Sequence, residues 1–436
     1  MKKIVVVMMS ILLVPVVHAE RVLAGRILNP VTAAQLLAGA GDPAVSADGR
    51  YIFFVSTSTN LGPPANGATN LYRADTDAAT PAAESIVLAM SALGTGNTIA
   101  PSSSGGGTVV AFETLAGNLG GNHGSFADIY VSHQIDLPQN EVGFDTRLVS
   151  SGLGGAAPNG ASRTPSISAD GRYVAFWSDA SNLVSNDTNN SPDIFMVSVD
   201  GGLIGSVERA SVDSSEVPIP GASRFLSNQA WSANSQLLVF SADAEIDGAN
   251  PGNLEDVFIR DRAAGTTSLI SKFSNGAPFT GSSDQASISS NGRYVAFRSF
   301  QLGAGISGSR VFVRDRQAQT TFSVPVPPGA TVCEEPKVDL SANVLMQCGS
   351  AQVGGSQQAW LWQANSASFV RLSRSPANAE GNLVSGSVTS QSDDSSVLVF
   401  DSSASNLDPG DTNNSSDVFV DIDSHRLYAL FADGFE

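Results

Sequence analysis

Side chains that could do chemistry are few in this chain, and they are scattered. Beyond the N-terminal leader there are three histidines, His123, His133 and His425. No Gly-x-Ser-x-Gly elbow marks a hydrolase nucleophile, and no His-Glu-x-x-His marks a zinc site. Each histidine is expected at the surface, and no catalytic, cofactor-binding or metal-ligating residue is assigned. Two long segments nearly repeat: Asn182–Asn190 ahead of Asp193, and Asn406–Asn414 ahead of Asp417. Alternating oxygen side chains (Asp411, Asn413, Ser415, Asp417) could face one hard cation such as calcium. The competing reading is that Asn and Asp brace turns through local side-chain bonds. Whether the Asp187/Asp193 and Asp411/Asp417 loops bind calcium stays open in the sequence. The only cysteines, Cys333 and Cys348, are expected to form a disulfide in an oxidising compartment.

The elements that position these residues follow from a repeat. Ser168-Ala169-Asp170-Gly171-Arg172-Tyr173-Val174-Ala175-Phe176 returns as SADGRYIFF ending at Phe54 and as SSNGRYVAF ending at Phe297. Weaker copies end at Phe112, Phe240 and Phe400, and a shortened one ends at Cys348. A period of roughly 50–65 residues is the mark of propeller blades or a solenoid. Each repeat carries four strand signals and no amphipathic helix. In the third they are Pro165–Ser168, Tyr173–Ser178, Asp193–Val199 and Val207–Ser211. Both faces of Tyr173–Trp177 are apolar, as expected of a strand packed between two neighbouring sheets. The sequence therefore predicts an all-β chain forming a single β-propeller of seven four-stranded antiparallel blades.

The repeat resembles the TolB-like (WD-like) β-propeller family. The likeness rests on Pro165–Phe176 with Asp193-Ile194-Phe195, and on Pro43–Phe54 with Asn70-Leu71-Tyr72. It implies a bacterial exported propeller and leaves the ligand unspecified.

The remainder of the chain fits export. Lys2 and Lys3 precede an apolar run, Ile4–Val17, and Val17-His18-Ala19 offers a cleavage site before Glu20. The expected organisation is a signal peptide at 1–19, a lead segment at 20–41, the propeller at 42–431 and a tail at 432–436. The seventh blade is expected to be completed by Arg426–Phe431, so that the ring closes by side-chain packing. The competing closure adds Arg21–Leu28 to a blade edge. Asp and Glu number 41 against 23 Lys and Arg, giving −18, so nucleic acid is an unlikely partner on charge grounds. No stretch after the leader is apolar enough to span a bilayer.

The expectation is a monomeric periplasmic or secreted protein without cofactor. It would act as a non-enzymatic binding or scaffold propeller, its partner an unidentified protein or glycan of the envelope. Its binding face would be the one carrying the long loops, such as Asp179 to Pro192 and Ser403 to Ser416. The alternative is a carbohydrate-processing enzyme using carboxylates at the channel mouth. Such an enzyme would bring two or three acidic groups of perturbed ionisation together there.

Overall fold

The turn phrase works through its serine and its aspartate. Ser168 Oγ donates to Asp170 Oδ1 (2.6 Å) and accepts from the Tyr173 N–H (3.0 Å), while Asp170 Oδ1 accepts from the Arg172 N–H (3.1 Å). Gly171 takes φ 71°, which closes the turn at little steric cost. The same bonds recur at Ser46–Asp48, Ser232–Asn234, Ser289–Asn291 and Ser392–Asp394. Each phrase thus sends an inner strand back as a second strand.

The structure is a computed structural model that describes residues 21–27, 35–61, 67–76, 86–87, 96–136, 142–224, 227–243, 246, 254–301, 308–349 and 357–423. Seven four-stranded antiparallel sheets stand as blades around a central channel. Blades 1 to 6 each use four successive strands. Blade 3 is Ser162–Ile167, Tyr173–Ser178, Asp193–Ser198 and Val207–Arg209. No helix of the described residues is long and apolar enough to cross a membrane.

The repeated Phe packs against an aromatic side chain of the third strand. Six such pairs, among them Phe54–Tyr72, Phe176–Phe195 and Phe400–Phe419, have ring centroids 5.6–6.2 Å apart. The repeated Phe of each pair is at most 2% exposed. Each such ring contributes roughly 2–3 kcal/mol by leaving water.

A buried acid joins the third strand to the outer one. Asp128, Asp193 and Asp256 accept from Ser150, Ser211 and Ser271 at 2.6–2.8 Å. Those serine oxygens in turn accept backbone N–H groups of Ile129, Ile194 and Val257.

Ring closure differs from the expected packing closure. Arg21–Arg26 is the outer strand of blade 7, antiparallel to Asp417–Asp423, with Arg21 opposite Asp423 and Arg26 opposite Phe419. The N-terminal segment is therefore a clasp and not a lead segment, and blade 1 begins at Ala40. The expected closing strand, Arg426–Phe431, lies outside the described residues, as do the leader and the tail. The physical reason for the clasp is charge. Arg26 sits across from Phe419 as Arg209 sits across from Phe195 in blade 3. It meets Asp408 (3.0 Å), Asp411 (3.4 Å) and Asp417 (3.5 Å). Arg21 likewise meets the fully buried Asp421 at 2.5 Å.

In blade 6, Cys333 and Cys348 face each other on the inner and second strands, Cα atoms 4.2 Å apart, and are joined as a disulfide. The turn between them has lost the Ser-x-Asp-Gly phrase. Asp339 replaces it, accepting the Ser341 and Asn343 N–H groups at 2.8 Å.

Two outcomes follow. Arg26→Ala leaves three carboxylates without their guanidinium and is expected to cost about 3–5 kcal/mol, read by denaturant unfolding. Cys333→Ser with Cys348→Ser is expected to cost about 3 kcal/mol for a loop of this length, read the same way.

Candidate functional site

The inner strands start at the face bearing the long loops, and near that end they carry bulges. Register breaks between Gly41 and Ala44, Ile99 and Ser102, Arg163 and Ser166, Asp284 and Ser287, and Glu334 and Lys337. The bulged residues Asp42, Ala100, Thr164, Gln285 and Glu335 take φ between 42° and 53°. Three of the bulges turn an N–H toward the preceding blade, where a side chain accepts it. Asp42 takes the Ala100 N–H and Glu113 the Thr164 N–H, both at 3.1 Å, and Gln285 takes the Glu335 N–H at 3.0 Å. Side chains at the channel mouth thus add to backbone bonds between blades such as Ser162 N–H to the Ala127 carbonyl (2.8 Å) and Ser283 N–H to the Glu255 carbonyl (2.7 Å).

The mouth is acidic on the side of blades 7, 1 and 2. Burial pushes the carboxyls of Asp42, Glu113 and Asp401 above their usual range. The negative charge of Asp42 raises Glu113 and Asp401 further. Bonds from Val388 N–H and Ser387 Oγ, both 2.8 Å, hold Asp401. Across the mouth, blades 4 to 6 mix signs. Arg298 donates to Asp284 (2.7 Å) and Glu334 (2.9 Å), and Gln285 Nε2 donates to Glu335 (2.8 Å). Burial raises Glu335 and Glu255, and the charge of Asp284 adds to both shifts.

The channel has a floor. The stretch from Ser223 to Ser232 in blade 4 is three residues longer than its counterpart Ser162 to Ser168 in blade 3. Its Asn228 carbonyl accepts from Ser102 Oγ of blade 2 (3.0 Å), and Gln229 Nε2 donates to the Val338 carbonyl of blade 6 (3.0 Å). Neither partner lies on a neighbouring blade, so both bonds cross the channel. Beneath them a cavity of about 60 Å³ is lined by Ala47, Gly105, Ala169, Ser290 and Gln391. The mouth is therefore a well open to the loop face.

The candidate calcium loops hold arginine in the place of a cation. Arg209 meets Asp187 at 3.0 Å and Asp193 at 3.4 Å, and Arg26 lies among Asp408, Asp411 and Asp417. Burial, with Asp411 beside it, pushes Asp417 up to about 6. Of the histidines, His123 is half-buried with Nδ1 2.9 Å from the Gly124 carbonyl. His133 was expected at the surface but is buried, because it faces Val109 within the blade 2 sheet. His425 lies outside the described residues.

The mouth carboxyls were missed because the repeat phrase draws the eye to what recurs. The residue following each repeated Phe is Val55, Glu113, Trp177, Ser241, Arg298 or Asp401. That change of type beside an unchanging Phe was the available signal.

With this geometry in view, comparison places the fold among known propellers. No family model matches the chain, and no curated protein matches it. Solved structures do. TolB from Acinetobacter baumannii is similar at 16% identity, over 75% of this chain and 64% of that one, with a TM-score of 0.41. This chain thus spans under two thirds of that protein's length. An oligogalacturonate lyase from Vibrio parahaemolyticus is similar at 11% identity, over 91% of this chain and 96% of that one, with a TM-score of 0.52. The propeller domain of the trilobed protease from Pyrococcus furiosus, described as having an open velcro topology, is similar at 10% identity over 84% and 89%, with a TM-score of 0.51. The chain is a seven-bladed propeller, and TolB proteins are among the solved structures it is similar to. The expectation of a non-enzymatic protein is corrected here. A propeller of this build makes up nearly the whole of a lyase, so the fold gives no ground for excluding catalysis. The mouth also gathers the acidic groups of altered ionisation that the enzymatic alternative requires.

The raised carboxyls carry a sign for stability. Glu113 is raised when folded, so its contribution is complete below the unfolded value and is lost as pH rises through the folded one. Glu113→Gln keeps an oxygen for the Thr164 N–H and removes the buried charge. Its thermal midpoint is expected to match wild type near pH 4 and to exceed it increasingly toward pH 8, read by thermal denaturation across that range.

Proposed function

We propose that this chain is a ligand-binding propeller of the bacterial envelope, exported by residues 1–19, that takes a neutral or amino-bearing glycan into the well on its loop face. One observation carries the reading. Asp42, Glu113, Glu255, Glu335 and Asp401, drawn from blades 1, 2, 4, 6 and 7, surround one blind-ended mouth with their ionisation shifted upward by burial. Burial favours the protonated carboxyl, which both donates and accepts hydrogen bonds and so suits the paired hydroxyls of a sugar. A mouth dominated by acids attracts an amino sugar and repels a uronate. In this the proposed ligand departs from the oligogalacturonate in the name of the Vibrio parahaemolyticus enzyme.

A second reading, acid–base processing of the bound glycan, is favoured by a further observation. Asp42 acts on both Glu113 and Asp401, so buried carboxyls adjoin, disfavour one another's ionisation and lose their protons in unequal steps. Unequal partners of that kind are what an acid and a base at one glycosidic bond require.

The test is titration calorimetry of the mature protein with chitotetraose, maltotetraose and tetragalacturonate. Binding of either of the first two, weakened about tenfold or more by Glu113→Gln with Asp401→Asn, is the expected result. Indifference to both, or preference for tetragalacturonate, would overturn the reading. Product analysis of the same mixtures separates binding from turnover.

A further inference from the structure

Lysine is nearly absent from this chain. Of four lysines, Lys2 and Lys3 belong to the leader, which leaves Lys272 and Lys337; other cationic side chains are arginines. Lys272 is half-buried on the approach from blade 4 to blade 5. Lys337 is 4% exposed and lies on the inner strand of blade 6, Val332–Val338, opposite Leu345.

The other blades show which way this position faces. Its counterparts are Ala44, Ser102, Ser166 and Ser287, each opposite the residue before the repeated Phe. Ser102 Oγ bonds the Asn228 carbonyl across the channel, and Ser166 Oγ accepts the Ala230 N–H. Ser102 Oγ also accepts the Ile167 N–H, and Ser390 Oγ, at the same position of blade 7, accepts the Val45 N–H. The position therefore lies on the channel wall where two blades meet. The Val338 carbonyl beside Lys337 accepts Gln229 Nε2 and sets the lysine at the level of the floor. Where other blades place a methyl or a hydroxyl, blade 6 places a primary amine.

That choice works against stability. An ammonium removed from water needs acceptors, and Lys337 Nζ makes no hydrogen bond among the described residues. The charge that faces it is Glu335, itself ringed by Arg298, Glu334 and Asp284 and bonded to Gln285. Burial lowers the amine and raises the Glu335 carboxyl, so both shifts favour a neutral amine beside a protonated acid. Arginine, used at nearly every other cationic position, cannot release its proton in this way. A desolvated lysine that can release it is a nucleophile toward carbonyl carbon.

We propose that Lys337 is a carbonyl-reactive amine at the base of the well, with Glu335 as its proton-transfer partner and a small hydroxy-aldehyde, or the open-chain reducing end of a sugar, as its ligand. The sugar form of this ligand rests on the glycan reading above; the reactivity of the amine does not. Lys337 Nζ adds to the carbonyl carbon, and the C–N bond forms as the oxygen takes a proton, leaving a carbinolamine. Glu335 then protonates the hydroxyl, the C–O bond breaks, water leaves, and the remaining N–H proton returns to Glu335. Amine and carbonyl become imine and water, with no oxidant or reductant consumed.

The test traps the imine. The full mature protein is incubated near pH 7 with glycolaldehyde and cyanoborohydride, and proteolytic peptides are followed by mass spectrometry. Lys272 is the internal control. The expected result is labelling of Lys337 about tenfold faster than Lys272. Glu335→Gln should slow Lys337 severalfold while leaving Lys272 unchanged, which shows that the fold is intact. Lys337→Met should lose the adduct at that site and keep it at Lys272. No adduct on Lys337 in the native protein, or labelling no faster than at Lys272, would overturn the proposal. Trapping without any oligosaccharide binding would retain the reactive amine and remove the glycan reading. Oligosaccharide binding without trapping would do the reverse.

Discussion

A sheet with two apolar faces is stable only where both faces stay dry, and the rest of this structure hangs on that constraint. The repeated Phe and its third-strand aromatic partner are where it is met. Phe112 with Tyr130 and Phe297 with Phe312 fill the middle of their blades and leave the blade edges to polar contacts. Because packing is settled at mid-blade, the turn end can be held by Ser-x-Asp bonds. The loop end is then free to vary, and it is there that the acids collect. The division is visible within a single strand: Phe112 is fully buried, and the next residue, Glu113, bonds to the bulge of the neighbouring blade.

This division explains what was legible in the sequence. Turn chemistry and strand patterning are local, so the phrase ending at Phe176 disclosed the blade, and its recurrence disclosed the ring. The degenerate sixth copy disclosed its blade and the Cys333–Cys348 pairing but was set two residues late: Met346 takes the place of the repeated Phe, and Cys348 stands where blade 3 has Ser178. Closure was not legible, because the pairing of Arg21 with Asp423 has no local signature. A clue existed in what blade 7 lacks. Asp193 has both Ser211 and Arg209 from its own outer strand, whereas Asp417 depends on Arg26 from the other end of the chain. The same arginines lie among the carboxylates of the oxygen-rich loops.

The well was illegible for a different reason. Its groups come from strands dozens to hundreds of residues apart, and several do structural duty as well. Asp42 and Glu113 cap bulge N–H groups, so their burial reflects the fold as much as any ligand. The floor is plainer: Asn228 and Gln229, in the lengthened stretch of blade 4, carry the two bonds that cross the channel. Lys337 stands out because a serine would satisfy the fold at that point.

The clasp also imposes an order on events. The outer strand of blade 7 is made near the start of the chain and its partner near the end, with Arg21 and Asp421 separated by 400 positions. Local contacts form early and distant ones late, because closing a long loop costs entropy before it gains contacts. Six blades can therefore mature while the chain is still being delivered, but the circle stays open, with two unpaired sheet edges, until Asp417–Asp423 arrives. That interval lasts until the last strand has been synthesised and has found the first. The first strand then spends the whole of biogenesis waiting for the last, and the chain is most open to capture by folding helpers, proteases or other open rings during that wait.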